Sequence, residues 1–433
     1  MARPVETGAL RRAVLRANTR LLLTGVMLFQ FTAMLLLAIR SDSFDLQALM
    51  FAVLMPLITF GVVKLFSKLW PIDRALLILT LLLCSISLVT LKDIARSSVT
   101  PQIQAVYMLA GLMSMGIGIG FIRYLRSWDK WVVPLMVITF LALAAPLVIG
   151  TWQNGAKNWL KFGSGDALTV QPSEFGKLSV IFILASRLSN RPRFRKILPA
   201  LLFVAAMCGL LLAERDLGAL LLYFLTAVMM FYAATSNLPI TLAGLGMGAG
   251  GAVAAYNLFP YVAKRIELLK NPWSDPLVFG YQIIQALIAI GSGGMFGMGL
   301  GLGYPRNIPL YHSDFIFAAI CEDFGLVFAL AMLGIYVLLL MRGASVAMNA
   351  RTSFHALVAF GVVSLLAVQT LVIVGGNIKL IPLTGVTLPF VSAGGSSIVS
   401  MMGAMGMLLG VSSLNAGDEA EDLKRLEWRE GGV

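Results

Sequence analysis

The sequence predicts an all-α polytopic integral membrane protein of about twelve transmembrane helices, with a long outer loop containing an interfacial or re-entrant helix. Three observations predict it. Of 433 residues, 58% are hydrophobic and only 12% are charged, about half the charged share of an ordinary soluble domain. Apolar runs long enough to cross the roughly 30 Å hydrocarbon layer recur from end to end, and the mean hydropathy is +0.87. The net charge of +12 falls mostly in short loops between those runs, where it reports topology and not nucleic-acid binding.

The first apolar run, 21–39, follows Arg11, Arg12, Arg16 and Arg20. It is too long for a signal peptide and lacks a small-residue cleavage pattern, so it reads as the first span. Further spans are expected at 48–66, 75–91, 105–122, 132–150, 174–189, 197–213, 217–235, 238–257, 314–341, 354–376 and 394–413. The 174–189 run is short and carries Glu174 and Lys177; Glu214, Arg215 and Asp216 separate the runs on either side of them. Twelve spans with both termini in the cytoplasm put 21 of the 33 Lys and Arg residues inside, as the positive-inside rule requires.

Two outer segments are longer than connectors need to be. One covers 151–173. The other, 258–313, opens with Lys264, Arg265, Glu267 and Lys270, turns at Asn271–Pro276, carries an apolar stretch from Tyr281 to Ile290, and continues through seven glycines from Gly291 to Gly303. Ten apolar residues cannot span, which predicts the interfacial or re-entrant helix; the glycines serve close backbone packing or a hinge. The tail beyond Leu414 mixes acids and bases and is expected to form a short solvated helix.

Several familiar catalytic patterns are missing: there is no GxxxxGK[ST], HExxH or GxSxG, and only two histidines, His312 and His355. Cys84, Cys208 and Cys321 lie in or beside apolar runs and give neither a closed disulfide set nor a spaced metal site. What remains is a set of charges at the outer ends of the spans: Glu174, Lys177, Asp216, Asp275, Asp314, Glu322 and Lys379. Charges at bilayer depth are costly, so each is either paired or functional. Glu174 and Lys177, three apart on one helix, suit a structural clamp or a substrate contact. Asp314 and Glu322, eight apart, are expected on one helix face, with Asp314 capping it. Asp275 in Trp273-Ser274-Asp275-Pro276 fits an Asx turn as well as a catalytic role.

Six blocks then occur in a fixed order: Asn154-Gly155-Ala156-Lys157-Asn158-Trp159; Gln171-Pro172-Ser173-Glu174 with Lys177; Asp216-Leu217-Gly218; Asn271-Pro272-Trp273-Ser274-Asp275-Pro276 with Gly280-Tyr281-Gln282; Asp314-Phe315-Ile316-Phe317 with Glu322; and Pro382 to Phe390 with Gly394-Gly395-Ser396-Ser397. Over about 75–413 the chain resembles the SEDS family of shape, elongation, division and sporulation proteins, and looks like a RodA/FtsW/SpoVE relative. It departs from the family pattern in having Arg215 where a proline is more usual, Asn158 for arginine, Ser313 for threonine, Asp323 for a second glutamate and Ala393 for an aromatic.

The resemblance implies a ten-helix SEDS-like core at 71–413, preceded by 1–70 with a cytoplasmic segment and two extra spans, and followed by a cytoplasmic tail, 414–433. It implies a peptidoglycan glycosyltransferase of the bacterial cytoplasmic membrane that polymerises lipid II on the outer face, with Asp275 as the catalytic residue and a class B penicillin-binding transpeptidase as partner. An inverting transfer needs a base for the acceptor hydroxyl and positive charge for the departing diphosphate. Asp275 is expected to be the base. Lys177, Arg265 and Lys379 are expected to meet phosphate, with Glu174, Asp216 and Glu322 completing the substrate site and a divalent ion, Mg or Mn, able to assist. Arg265 reads equally as an anchor facing lipid headgroups. A flippase for a lipid-linked oligosaccharide and a non-catalytic scaffold for the transpeptidase are the competing readings.

Overall fold

The computed structural model describes residues 4–40, 44–94, 100–125, 127–153, 156–162, 168–189, 194–277 and 280–430. Asn154 and Gly155 of the first block lie outside them. Among the described residues, twelve long helices match the twelve expected spans: α1 (Pro4–Arg40), α2 (Leu46–Leu69), α3 (Arg74–Ile94), α4 (Thr100–Tyr124), α5 (Asp129–Ile149), α6 (Pro172–Leu188), α7 (Phe194–Ala213), α8 (Leu217–Thr235), α9 (Leu238–Leu258), α12 (Ile316–Met348), α13 (Ser353–Asn377) and α14 (Gly395–Glu430). Ten are long and apolar enough to cross a membrane by length and composition; α6, with 17 residues, and α7, whose apolar part is Ile197–Ala213, are shorter. Two more helices, α10 (Pro260–Lys270) and α11 (Tyr281–Gly293), lie in the long segment, where the interfacial helix was expected.

The first of the two long segments, to which the sequence assigned no secondary structure, forms a small antiparallel sheet, β1 (Thr151–Gln153), β2 (Ala156–Phe162) and β3 (Leu168–Val170), in which Thr151 faces Trp159 and Leu160 faces Val170. Two expectations need correction. The tail is no separate helix, because α14 runs unbroken to Glu430. And Asp314 does not cap α12. The helix starts after Phe315 with no side-chain cap, and its first turn is held by Asn377 at the end of α13, which receives the Ala318 N–H at 3.2 Å and donates to Asp314 O at 2.8 Å.

Helices α3, α13 and α14 are the most enclosed, whereas α9 is almost entirely exposed and packs on α8 and α10. The tightest seam joins α4 to α14. A Cβ at Gly118 would stand 2.7 Å from Gly403 O, and one at Gly406 would stand 2.2 Å from Met115 O. Lipid gives no hydrophobic drive between helices, so such backbone approach, with its dispersion contacts, is what holds them. At the other side α1 and α2 pack on α3, where buried Gln30 donates to Thr59 at 2.8 Å and to Ser85 at 2.6 Å. Outer-end ion pairs Lys92–Asp45 at 2.8 Å and Arg40–Asp93 at 3.5 Å complete that junction.

Helix α12 is broken at Gly325, where φ is 83° and ψ 169°. The break leaves backbone groups without helical partners, and the glycine segment after α11 supplies them. Met298 N–H donates to Glu322 O at 2.8 Å and Gly299 N–H to Asp323 O at 3.0 Å; in return Leu326 and Val327 N–H donate to Gly294 O and Met295 O at 3.0 and 3.1 Å. Every group so paired avoids the penalty of an unsatisfied amide in an apolar surrounding. Close contact accounts for the glycines at the crossing itself: a Cβ at Gly325 would stand 2.3 Å from Gly297 N and one at Gly293 2.0 Å from Cys321 O.

Replacing Gly325 with Ala adds that clash to a backbone strain of about 1–3 kcal/mol. The Gly325→Ala protein is expected to melt several degrees lower in detergent. Gly334→Ala, on the same helix with nothing within 4 Å of the added carbon, should match or exceed the parent.

Candidate active site

All six sequence blocks contribute to the wall of one cavity of about 460 Å³ at one end of the bundle. Its lining comes from β2, the start of α6, the α7–α8 connector, α10, the first turn of α11, the turn before α12 and the segment that leads into α14. The wall carries three carboxylates, Glu174, Asp216 and Asp314, and three cations, Arg215, Lys264 and Arg265.

Asp216 is the most constrained of these. One carboxylate oxygen caps α8 by accepting the Ala219 N–H at 2.9 Å, and the other accepts from Asn158 and Gln171 at 2.8 Å each and from Ser173 at 3.3 Å. The charge sits at the positive end of a helix and is fully bonded. Asp216 therefore fixes the wall, tying β2 and α6 to α8.

Glu174 and Lys177 form the expected pair at 2.7 Å. Only Glu174 reaches the cavity wall. Lys177 is 3% exposed and is held from behind by Gln369 Oε1 at 3.2 Å. Gln369 donates in turn to Thr387 O at 2.8 Å, Thr387 and Ser397 hydroxyls meet at 2.6 Å, and Ser400 donates to Glu174 at 3.0 Å. Lys177 is thus a positioning residue that orients Glu174 and the last sequence block.

Arg265 donates to Leu383 O at 2.9 Å. Burial pulls its guanidinium below the ordinary range, and the fields of Asp216 and Asp314 oppose that pull. It faces the cavity, which decides against the headgroup-anchor reading. Asp314 has its carboxyl pushed up to about 6 by burial, against the opposing effects of a Ser313 hydrogen bond and the Arg265 charge. In the α7–α8 connector, burial and the neighbouring Asp216 push Glu214 up to about 8.

Asp275 is not part of the wall; it follows the short 3₁₀ turn Pro272–Ser274. Its carboxylate lies 3.9 Å from Lys264 Nζ, and Lys264 lines the cavity. The turn before it is the Asx kind: Asn271 accepts from Trp273 N–H at 3.1 Å. The asparagine, not the aspartate, makes the turn, so the Asp275 side chain is left available. Its carbonyl receives Gly280 N–H at 2.8 Å, closing the loop onto α11.

Two expected members stand apart. Glu322 lines a separate cavity of about 190 Å³ beyond α11, with Gln285, Ser292 and Asn307. It accepts the Tyr304 N–H at 3.0 Å, and since Asp314 precedes α12, the two acids do not share a helix face. Lys379 lies outside the wall and donates to Lys270 O at 3.4 Å, at the C-terminal end of α10. Conversely, Arg215 and Lys264 are wall residues that were not among the expected substrate contacts, and Asp314, expected as a helix cap, joins them there. Among the described residues no group of three or more His, Cys, Asp or Glu is arranged to hold a metal ion. The carboxylates of Asp216 and Glu174 are already engaged by protein donors and do not fit the expected divalent ion.

The family model described as "Cell cycle protein", named for FtsW, RodA and SpoVE, matches residues 47–416. The match starts at α2, one helix before the boundary near residue 70. Stage V sporulation protein E of Bacillus subtilis is 36% identical over 357 residues, 78% of this chain and 96% of that protein. Peptidoglycan glycosyltransferase RodA of Mycobacterium bovis is 35% identical over 316 residues, 69% of this chain and 67% of that one. A solved structure described as "Structural coordination of polymerization and crosslinking by a peptidoglycan synthase complex" superposes with a TM-score of 0.67 and 28% identity, covering 79% of this chain and 98% of its counterpart.

A carboxyl whose folded value is raised from 3.8 to about 6 stabilises the fold below the lower value and loses that contribution as pH rises through the upper one. Asp314→Asn removes the cost, which is on the order of 2 kcal/mol. The variant should melt like the parent at pH 4 and a few degrees above it at pH 7.5; a gap that does not grow with pH would contradict the burial argument.

Proposed function

This chain belongs to the FtsW/RodA/SpoVE family of cell cycle proteins, and from that premise we propose how its outer cavity works. It is a multi-pass membrane peptidoglycan glycosyltransferase that polymerises glycan strands. The cavity takes lipid II and the growing strand, and Asp275 removes the proton from the acceptor hydroxyl. One observation carries this reading: the Asp275 carboxylate stands 3.9 Å from the Lys264 ammonium, which lines a cavity walled by all six sequence blocks. A base beside that cavity meets a sugar hydroxyl arriving from outside, while Arg265 and Lys264 on the wall face the negative charge that gathers on the departing diphosphate. A diphosphate leaves as an anion, so no second acid is needed on it.

Both termini face the cytoplasm and the cavity faces outward in this reading, which the parity of twelve spans and the placement of 21 of 33 basic residues support. A flippase would be expected to gather polar groups near the bilayer midplane; here they collect at one end. The two extra N-terminal helices and the tail, 1–70 and 414–433, are read as additions to a ten-helix core. The superposed synthase complex couples polymerisation to crosslinking, which supports a class B penicillin-binding transpeptidase as partner.

Three measurements test this. A cysteine at Ser274 should react with an impermeant thiol reagent added outside, and one at Ser189 should not; the reverse pattern inverts the topology. Asp275→Asn should cut glycan-ladder formation from fluorescent lipid II at least about a hundredfold with an unchanged melting temperature. Glu174→Gln should instead lower the melting temperature, because Lys177, 2% exposed at its side chain, loses its counter-charge at about 3 kcal/mol. If Asp275→Asn makes ladders at the parental rate, the base is another group, and Asp314 is the next to test.

A further inference from the structure

Arg215 occupies a backbone position that disfavours its residue type. Helix α7 ends with two crossed hydrogen bonds, Arg215 N–H to Leu212 O at 3.2 Å and Asp216 N–H to Leu211 O at 2.8 Å. This pairing closes a helix through a left-handed residue, for which glycine is the usual choice because a Cβ is strained there. Arg215 holds the position with φ 64°. Strain of this kind collects where a side chain is needed for function, and the side chain is the one thing glycine could not supply.

That side chain is held by π contacts. The guanidinium carbon stands 5.0 Å from the centre of the Trp152 ring of β1 and 5.4 Å from that of the Tyr261 ring of α10, while the residue lines the cavity. Of the three cations on the wall, the other two are engaged: Arg265 with Leu383 O, Lys264 with Glu267 at 3.3 Å and Asp275 at 3.9 Å. Arg215 has neither an ion pair nor a side-chain hydrogen bond among the described residues. Two aromatic faces orient the guanidinium plane and leave its N–H edges unused. A planar fork of donors with no protein acceptor matches the paired oxygens of a phosphate.

We infer that Arg215 is a binding residue for the diphosphate of the polyprenyl-linked sugar, presented to the cavity by Trp152 and Tyr261. The inference rests on the reading of the cavity as the lipid II site. It adds a third positive group to the wall, carried by the α7–α8 connector, whereas Asp275 belongs to the turn after α10, so that base and diphosphate contact come from different elements.

The test is binding, measured apart from turnover. The full chain in phosphatidylcholine nanodiscs, where headgroup phosphate is present throughout, is titrated with undecaprenyl diphosphate and with undecaprenol, and its melting temperature is recorded. The wild type should prefer the diphosphate at least tenfold. Arg215→Gln and Arg215→Gly should each lose about ten- to a hundredfold in diphosphate affinity and keep their alcohol affinity within twofold, and Arg215→Gly should melt no lower than the wild type because it relieves the strained backbone. Variants that keep the wild-type preference overturn the assignment, as does a loss confined to proteins whose melting temperature has collapsed, which would make Arg215 a structural clamp between the rings. A wild type with no preference also overturns it, and ladder formation then judges the polymerase reading separately. A wild type that prefers the diphosphate through Arg215 but makes no ladders supports the assignment and sinks the polymerase reading.

Discussion

The cavity is organised around one carboxylate. Asp216 accepts four hydrogen bonds, from the sheet, from the start of α6 and from the first turn of α8. These elements meet at the edge of the hydrocarbon layer, where each would otherwise present unpaired donors at a cost of a few kcal/mol apiece. A single charged acceptor satisfies them together and fixes their separation. The neighbouring Arg215 then faces into the space so defined, and Glu174, three residues into α6, is carried to the wall by the same anchor. Among the described residues no other side chain bonds to β2, α6 and α8 at one point.

The spans were legible because lipid imposes a simple rule: a helix must be apolar for about twenty residues. Ten of the twelve expected runs meet it, α6 and α7 fall short, and twelve long helices stand where they were expected. The sheet at 151–170 was missed because a short strand pair in a loop has no comparable length signal. The role of Asp314 was misjudged for a different reason. Periodicity carried the α12 pattern back to residue 314, whereas Asn377 from α13 takes over the first turn, and no local pattern announces a partner 59 residues away. The break at Gly325 was equally silent, since one glycine in an apolar run looks like any other.

The site divides along the same line. Asp275, Arg265, Glu174 and Asp216 were found because charge in an apolar chain demands a reason. Their division of labour was not readable: Lys177 supports Glu174 from behind, Glu322 belongs to a second cavity across α11, and Lys379 joins the end of α10. Which face of a helix meets which neighbour is a tertiary fact, and spacing alone leaves it open. The segment 294–303, whose glycines fit either packing or hinging, was settled by the same kind of fact, namely the four hydrogen bonds it exchanges with the broken helix.

The seam between α4 and α14 divides the molecule mechanically. Backbones that touch at Gly118–Gly403 and Met115–Gly406 can neither slide past one another nor rotate without collision, because no side chain lies between them to change rotamer. That half of the bundle is a stator. The opposite half is built differently: α9 is lined with lipid-facing glycines and packs on α8 and α10 alone, and α10 leads through one short turn to α11. The compliance of the protein is therefore concentrated on one flank, the flank that bears Asp275. Lys264 and Arg265 stand on α10 beside Asp275, so the proposed base and two of the three proposed diphosphate contacts share that flank and would shift together against the fixed seam.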